Sequence, residues 1–192
     1  MRKLRALYQK LLSQYGRQRW WPAETRYEVI VGALLTQNTN WKNVEKAISN
    51  LKKAKSLNPK KIISMPRGKL ENLIKPSGFY RQKAERLKLL TKKYLEIRRK
   101  KWEREKLRAE LLSVKGVGRE TADSIILYAF DIPIFVIDAY TRRFCSYYRI
   151  FEGRDYEDYQ EFFESGIRKN LDLYKEFHAL IVEWGKEHKA KA

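Results

Sequence analysis

Residues 111–130 read LLSVKGVGRETADSIILYAF, and the bend in the middle of this stretch decides the fold. Leu111, Leu112 and Val114 lead into two glycines, Gly116 and Gly118, which enclose a single apolar residue, Val117. Behind them Ala122, Ile125, Ile126 and Ala129 recur at helical spacing, so a helix starts directly after the bend, and the apolar residues before it suggest another. At such a start the first backbone N–H groups have no carbonyl partner within the helix and point the same way. With glycines allowing close approach, they suit an anionic oxygen such as a phosphate. The bare pattern also fits an ordinary turn between helices, so the rest of the chain has to weigh between the two.

Composition weighs toward the anion. The 192 residues hold 42 Lys and Arg against 23 Asp and Glu, a formal charge of 42 − 23 = +19. A chain so basic repels itself unless a polyanion meets its surface. Nucleic acid is the first candidate and an anionic membrane the second; a thermophile's charged surface would mix both signs more evenly. A helix-hairpin-helix spanning about 107–130 then grips a DNA backbone without reading sequence. Lys115 and Arg119 flank the bend and are placed to touch phosphates.

The single cysteine, Cys145, excludes an internal disulfide and a four-thiolate cluster, and with only His178 and His188 a catalytic metal is not expected. No cofactor is expected either. Scattered Lys and Arg in MRKLRALYQKLLSQYGRQRWW argue against a signal peptide. The longest apolar reach, Ile125 to Ile137, is broken by Asp131 and Pro133 and is too short to span a bilayer. The expectation is a monomeric cytoplasmic protein, nucleoid-associated in a bacterium or archaeon, with no membrane partner.

Elsewhere the chain reads as helix after helix. Leu4, Leu7, Leu11 and Leu12 share a helical face, as do Tyr27, Ile30, Val31, Leu34 and Leu35, and then Val44, Ile48 and Leu51. Breaks fall at Gly16, Trp21-Pro22, Asn58-Pro59, Pro66-Arg67-Gly68, Pro76-Ser77-Gly78, Pro133 and Gly153. No sustained two-residue alternation calls for a sheet, so the fold class is all-α. The densely charged Lys83 to Lys106 reads as a solvated helix face. IPIFVI, residues 132–137, reads as a buried extended loop, since one short strand would have no partner.

Asp138 closes that loop and precedes Ala139-Tyr-Thr-Arg-Arg-Phe. A carboxylate at the end of an apolar run is partly desolvated and made more basic, and Asp is also a favoured N-cap. Both readings hold together, because a cap fixes the carboxylate in place.

Residues 111–130 followed by VIDAYTRRF resemble the hairpin and catalytic aspartate of the helix-hairpin-helix (HhH-GPD) DNA glycosylases, endonuclease III branch. YEVIVGALLTQNTNW, Tyr27 to Trp41, resembles the family's early helix and loop. IKPSGFYRQKAERLKLL, Ile74 to Leu90, resembles its I-x-x-x-G-F/Y-x-x-K-A block. The resemblance implies two helical domains with an active-site cleft between them: residues 1–22 with 132–192, and a helical barrel of 23–131. It implies a partner, double-stranded DNA with a damaged base, and an enzyme that flips that base out and cuts its bond to the sugar. Asp138 matches the residue that stabilises the oxocarbenium-like sugar or deprotonates the attacking water. Gln37 matches the residue that fills the gap left in the duplex, with Asn38 beside it, and Lys115, Gly116, Val117, Gly118, Arg119 and Thr121 match the hairpin's DNA contacts.

Two departures narrow the expected activity. Bifunctional members carry a lysine immediately before the hairpin's Thr-Ala, whose amine forms a Schiff base and drives strand cleavage; here that residue is Glu120. The family's four C-terminal cysteines are missing. Clusterless members without the lysine resemble the 3-methyladenine DNA glycosylases, in which aromatic faces hold a cationic alkylated purine. Trp20, Trp21, Pro22 and Trp41 are the matching base-binding candidates, with Glu120; core packing or a hydrophobic staple is the plainer role for the tryptophans, a first-turn charge favoured by the helix dipole is the plainer role for Glu120, and Tyr80, Tyr140 and Phe144 read as core. The expectation is base hydrolysis that stops at an abasic site. The alternatives are another lesion (mismatched thymine, uracil or an oxidised base) or DNA binding without catalysis.

Overall fold

The computed structural model describes residues 2–188. These contain eleven α-helices and no β-strand: α1 (Arg2–Tyr15), α2 (Arg26–Leu35), α3 (Trp41–Lys53), α4 (Pro59–Ser64), α5 (Arg67–Ile74), α6 (Tyr80–Ile97), α7 (Arg104–Leu112), α8 (Arg119–Ala129), α9 (Ala139–Tyr147), α10 (Tyr156–Gly166) and α11 (Leu171–Glu187). They group into two compact units, one formed by the chain up to Pro22 together with the residues from Ile126 onward, the other by Ala23–Ile125. The division falls six residues earlier than the 131/132 boundary expected from sequence. The reason is Tyr128, whose ring packs on Trp20, Trp21 and His178 and so draws the last turn of α8 into the first unit.

In the first unit the core is aromatic. Phe135 stacks on Phe163 at 4.3 Å, and Phe144, Phe177 and Trp184 close around them edge to face. Leu4 and Leu11 of α1 are fully buried, and α1 and α9 both pack on α11. At Gly185 of α11 a Cβ would lie 2.2 Å from the Tyr140 ring, so only glycine lets α9 approach this closely. Phe144 is core as expected; Tyr140 and Tyr80 keep part of their surface in solvent.

Residues 132–137 are extended, and Ile134 to Ile137 are buried. An isolated buried strand must find partners for its backbone groups. Here α10 supplies them from one face: the Tyr156 hydroxyl accepts from the Ile137 N–H (3.2 Å), the Gln160 amide donates to the Phe135 carbonyl (2.7 Å), and Glu164 accepts from the Phe135 N–H (2.9 Å). The spacing i, i+4, i+8 runs one helix face alongside the segment. Asp138 at its end is thereby fixed.

The second unit is built around α2, in which every residue from Tyr27 to Leu35 is buried, including Glu28, whose carboxylate meets Lys52 of α3 at 2.8 Å. A helix apolar on all sides sits at the centre of its unit. Helices α3 and α6 cover it, and α5 packs between them. Lys83, in the segment that reads as a solvated face, is 1% exposed. Its ammonium donates to the carbonyls of Leu35 (2.9 Å) and Ser77 (2.7 Å), so it closes the C-terminus of α2 against the turn before α6. The other basic residues of that segment lie mainly at the surface, and the helix breaks between Ile97 and Arg104.

Candidate active site

The expected site residues fall into two sets. Asp138, Trp20, Trp21 and Pro22 belong to the first unit; Gln37, Asn38, Trp41 and Lys115 to Thr121 belong to the second.

Asp138 is the N-cap of α9, with extended backbone. One oxygen, Oδ1, accepts from the Thr141 N–H at 2.7 Å and the Thr141 hydroxyl at 2.9 Å. The other, Oδ2, lies 3.5 Å from His178 Nε2 on α11. That is ion-pair range but too long for a good hydrogen bond. The side chain retains 13% of its exposure. Burial pushes its carboxyl up, but the His178 imidazole and the two Thr141 donors outweigh this and hold it below the usual carboxylate range. The result is a partly buried anion with one oxygen held by two donors of Thr141 and the other facing His178 Nε2.

Trp20 and Trp21 lie on each other at 5.0 Å and 31°, and both meet Tyr128, at 5.7 and 5.2 Å. Trp20 also meets the His178 ring at 5.9 Å. Neither acts as a staple for α2, whose cap is Thr25 accepting from the Glu28 N–H. Pro22 is exposed. The aromatic cluster and the carboxylate thus share His178 as a neighbour.

The hairpin forms as expected from α7 and α8. Gly116 is the residue that needs glycine, at φ +86 with the Arg86 side chain 2.3 Å from where a Cβ would stand. Gly118 has nothing within 4 Å of that position, which leaves its surface open to an approaching backbone. The turn is closed by the Val117 N–H donating to the Val114 carbonyl at 3.0 Å. Lys115, Gly118, Arg119 and Glu120 are exposed, and Thr121 is buried. Asp123 anchors α8 through two hydrogen bonds from the Arg108 guanidinium, at 2.7 and 3.3 Å.

The Gln37 amide donates to the Gly116 carbonyl (3.0 Å) and the Thr121 hydroxyl (2.9 Å), and its oxygen accepts from Arg86 at 3.4 Å. It ties the loop after α2 to the hairpin, and reaching into a duplex would break those bonds. Asn38 beside it is exposed with a left-handed backbone, φ +51. Trp41 opens α3 and donates from its indole N–H to Glu45 at 2.9 Å.

Two features escaped the sequence reading. His178 sits in FHALIVEW, which reads as core. Phe79 lies in a block recognised for other residues, yet it is 64% exposed and has φ +44, a costly conformation for an aromatic residue.

The HhH-GPD family, described as the HhH-GPD superfamily base excision DNA repair protein, matches residues 31–169. A protein of Methanocaldococcus jannaschii provisionally named a DNA repair glycosylase is 54% identical over 185 residues, covering 92% of this chain and 84% of its own length. Endonuclease III of Thermotoga maritima is 30% identical over 173 residues, covering 83% and 73%. Among solved structures, the 3-methyladenine DNA glycosylase MagIII of H. pylori, bound to 1,N6-ethenoadenine, is 33% identical with a TM-score of 0.81 over 99% of this chain and 97% of its own. On these matches, the chain belongs to the endonuclease III branch of the HhH-GPD superfamily and is a DNA glycosylase of base excision repair.

Proposed function

We propose that this glycosylase is monofunctional: it hydrolyses the bond between a flipped-out damaged base and its sugar and leaves an abasic site in double-stranded DNA. The observation that carries the reading is the Asp138 carboxylate: burial raises its proton affinity, and its neighbours His178 and Thr141 more than offset this, favouring the ionised form. As the base departs, positive charge develops on the sugar, and an anion fixed in a poorly solvated place stabilises that charge far better than one in water. Oδ1 is held by Thr141, leaving Oδ2 to face the sugar or orient the attacking water. Glu120 stands where a strand-cutting amine would stand, and a carboxylate forms no Schiff base.

For the lesion we favour an alkylated purine such as 3-methyladenine. Its positive charge makes it a good leaving group needing little acid assistance, and tryptophan faces attract it. The substrate class in the name of the H. pylori relative supports this. A second reading, a neutral lesion such as uracil, mismatched thymine or an oxidised base, is favoured by one observation: Trp20 and Trp21 cover each other and Tyr128 instead of standing apart as a slot.

Base release from duplexes carrying each lesion, measured with and without alkali, tests all of this. The expected result is release of 3-methyladenine, strand breaks only after alkali, no borohydride-trapped complex, and a loss of about 100-fold or more in Asp138→Asn. Strand breaks before alkali would overturn the monofunctional reading. Release of neutral lesions alone would select the second reading, and binding without any release would leave a non-catalytic DNA-binding protein.

A further inference from the structure

Asp138 has one neighbour that neither the cap motif nor the hairpin accounts for. His178 is 3% exposed, and each of its ring nitrogens faces a specific group. Nδ1 is 2.7 Å from the Tyr128 hydroxyl, and Nε2 is 3.5 Å from Asp138 Oδ2. We propose that His178 is a positioning residue for Asp138, presenting an N–H to Oδ2, and that Tyr128 selects the tautomer that makes this possible. The inference rests on the reading of Asp138 as the catalytic carboxylate.

The Tyr128 phenol is held protonated, first by burial and then by the negative charges of Asp138 and Glu176. Its oxygen has two neighbours, His178 Nδ1 and the Lys175 carbonyl at 3.3 Å. When the hydroxyl donates to Nδ1, the imidazole is neutral and its proton lies on Nε2, toward the carboxylate. When the hydroxyl turns to the Lys175 carbonyl, it accepts from an Nδ1–H, and the ring carries both protons. A lone pair on Nε2 would face an anion, so in both arrangements Nε2 is the protonated nitrogen. In either charge state of His178 the protonated Nε2 therefore faces Asp138 Oδ2.

The charged groups around the ring fit this role. Asp138 lies at the N-terminus of α9 and Tyr128 on α8; on α11 itself, Glu176 is occupied by the backbone N–H groups of Gln18 and Arg19, and the Lys175 ammonium is paired with Asp131. The Trp20 ring lies beside the imidazole, with centroids 5.9 Å apart. No second cation among these competes for Oδ2. A contraction of roughly half an ångström would turn the 3.5 Å approach into a hydrogen bond, and apo sites often hold catalytic contacts long in this way.

The test follows the Asp138 carboxyl by two routes. In carboxyl-13C-aspartate protein, its resonance is identified by its loss in Asp138→Asn and titrated in wild type, His178→Leu, His178→Gln and Tyr128→Phe. His178→Leu should move the titration to higher pH by about one unit or more, because burial then acts with less opposition. His178→Gln, which returns an N–H donor, should move it less, and Tyr128→Phe should shift it in the same direction as His178→Leu. Single-turnover base release should show the same displacement of its acidic limb while DNA affinity stays unchanged. A carboxyl that titrates in His178→Leu as in wild type overturns the proposal whatever happens to the rate, and an unmoved Tyr128→Phe titration overturns the tautomer part. The spectroscopic arm needs no turnover, so a wild-type protein that releases no base would defeat the glycosylase reading without touching this result.

Discussion

Asp138 divides its two oxygens between two elements, Thr141 of its own helix and His178 of α11. Thr141→Val keeps the backbone N–H and removes only the hydroxyl. Since Asp138 titrates below its ordinary value when folded, it releases its proton more readily there than in the unfolded chain; its contribution to stability is present above the unfolded pKa and is lost as pH falls through the lower folded one. Loss of one donor to the charged form should cost about 1–2 kcal/mol in urea unfolding at pH 7 and shift the acidic limb of base release upward. An unchanged limb would mean that the hydroxyl does not bear on the carboxylate. The aspartate was legible in the sequence because an apolar run followed by helix formers marks a cap. His178 was not, because it lies 40 residues further on, and a lone histidine in an apolar helix carries no local sign of what it faces.

At the scale of elements, residues 132–137 and α6 show how far patterns reach. The extended segment was legible, since six residues rich in β-branched and aromatic side chains between two helical stretches had no strand partner. That α10 would stand in for that partner was not, because Tyr156, Gln160 and Glu164 are ordinary amphipathic-helix residues until the segment lies beside them. Lys83 misled for the opposite reason: among many surface lysines nothing marks the one whose stem crosses a core to reach two carbonyls. Burial, then the nearby Arg86, lowers its pKa to about 8. Between that value and about 10.5 the unfolded chain holds a proton that the folded one has released, so stability should rise with pH across this window, by roughly 3 kcal/mol. Lys83→Met should abolish that rise in urea unfolding measured from pH 7.5 to 10.5, while losing stability because two carbonyls are left without their donor. Parallel pH curves for the two proteins would show that the lysine titrates normally.

For the whole molecule, a charge of +19 predicts how DNA binding responds to salt, and the two kinds of surface residue separate in that response. Lys115, 80% exposed, and Arg119 beside the hairpin would each displace counterions from a phosphate. Replacing either with alanine should therefore flatten the plot of log affinity against log salt by roughly one unit and weaken binding to intact and damaged duplexes alike. Phe79 carries no charge. An apolar side chain held out in solvent by a left-handed backbone is poorly explained by stability and well suited to wedge into a base step, where unstacking is exchanged for contact with bent DNA. Phe79→Ala should leave the salt slope unchanged, weaken binding most for duplexes with a lesion, and slow base release. Fluorescence of 2-aminopurine placed beside the lesion reads the unstacking directly, and a signal equal in Phe79→Ala and wild type would reject the wedge. A flattened salt slope from replacing Lys115 or Arg119 and an unchanged one from Phe79→Ala would separate holding DNA, set by surface charge, from opening it, set by the strained aromatic.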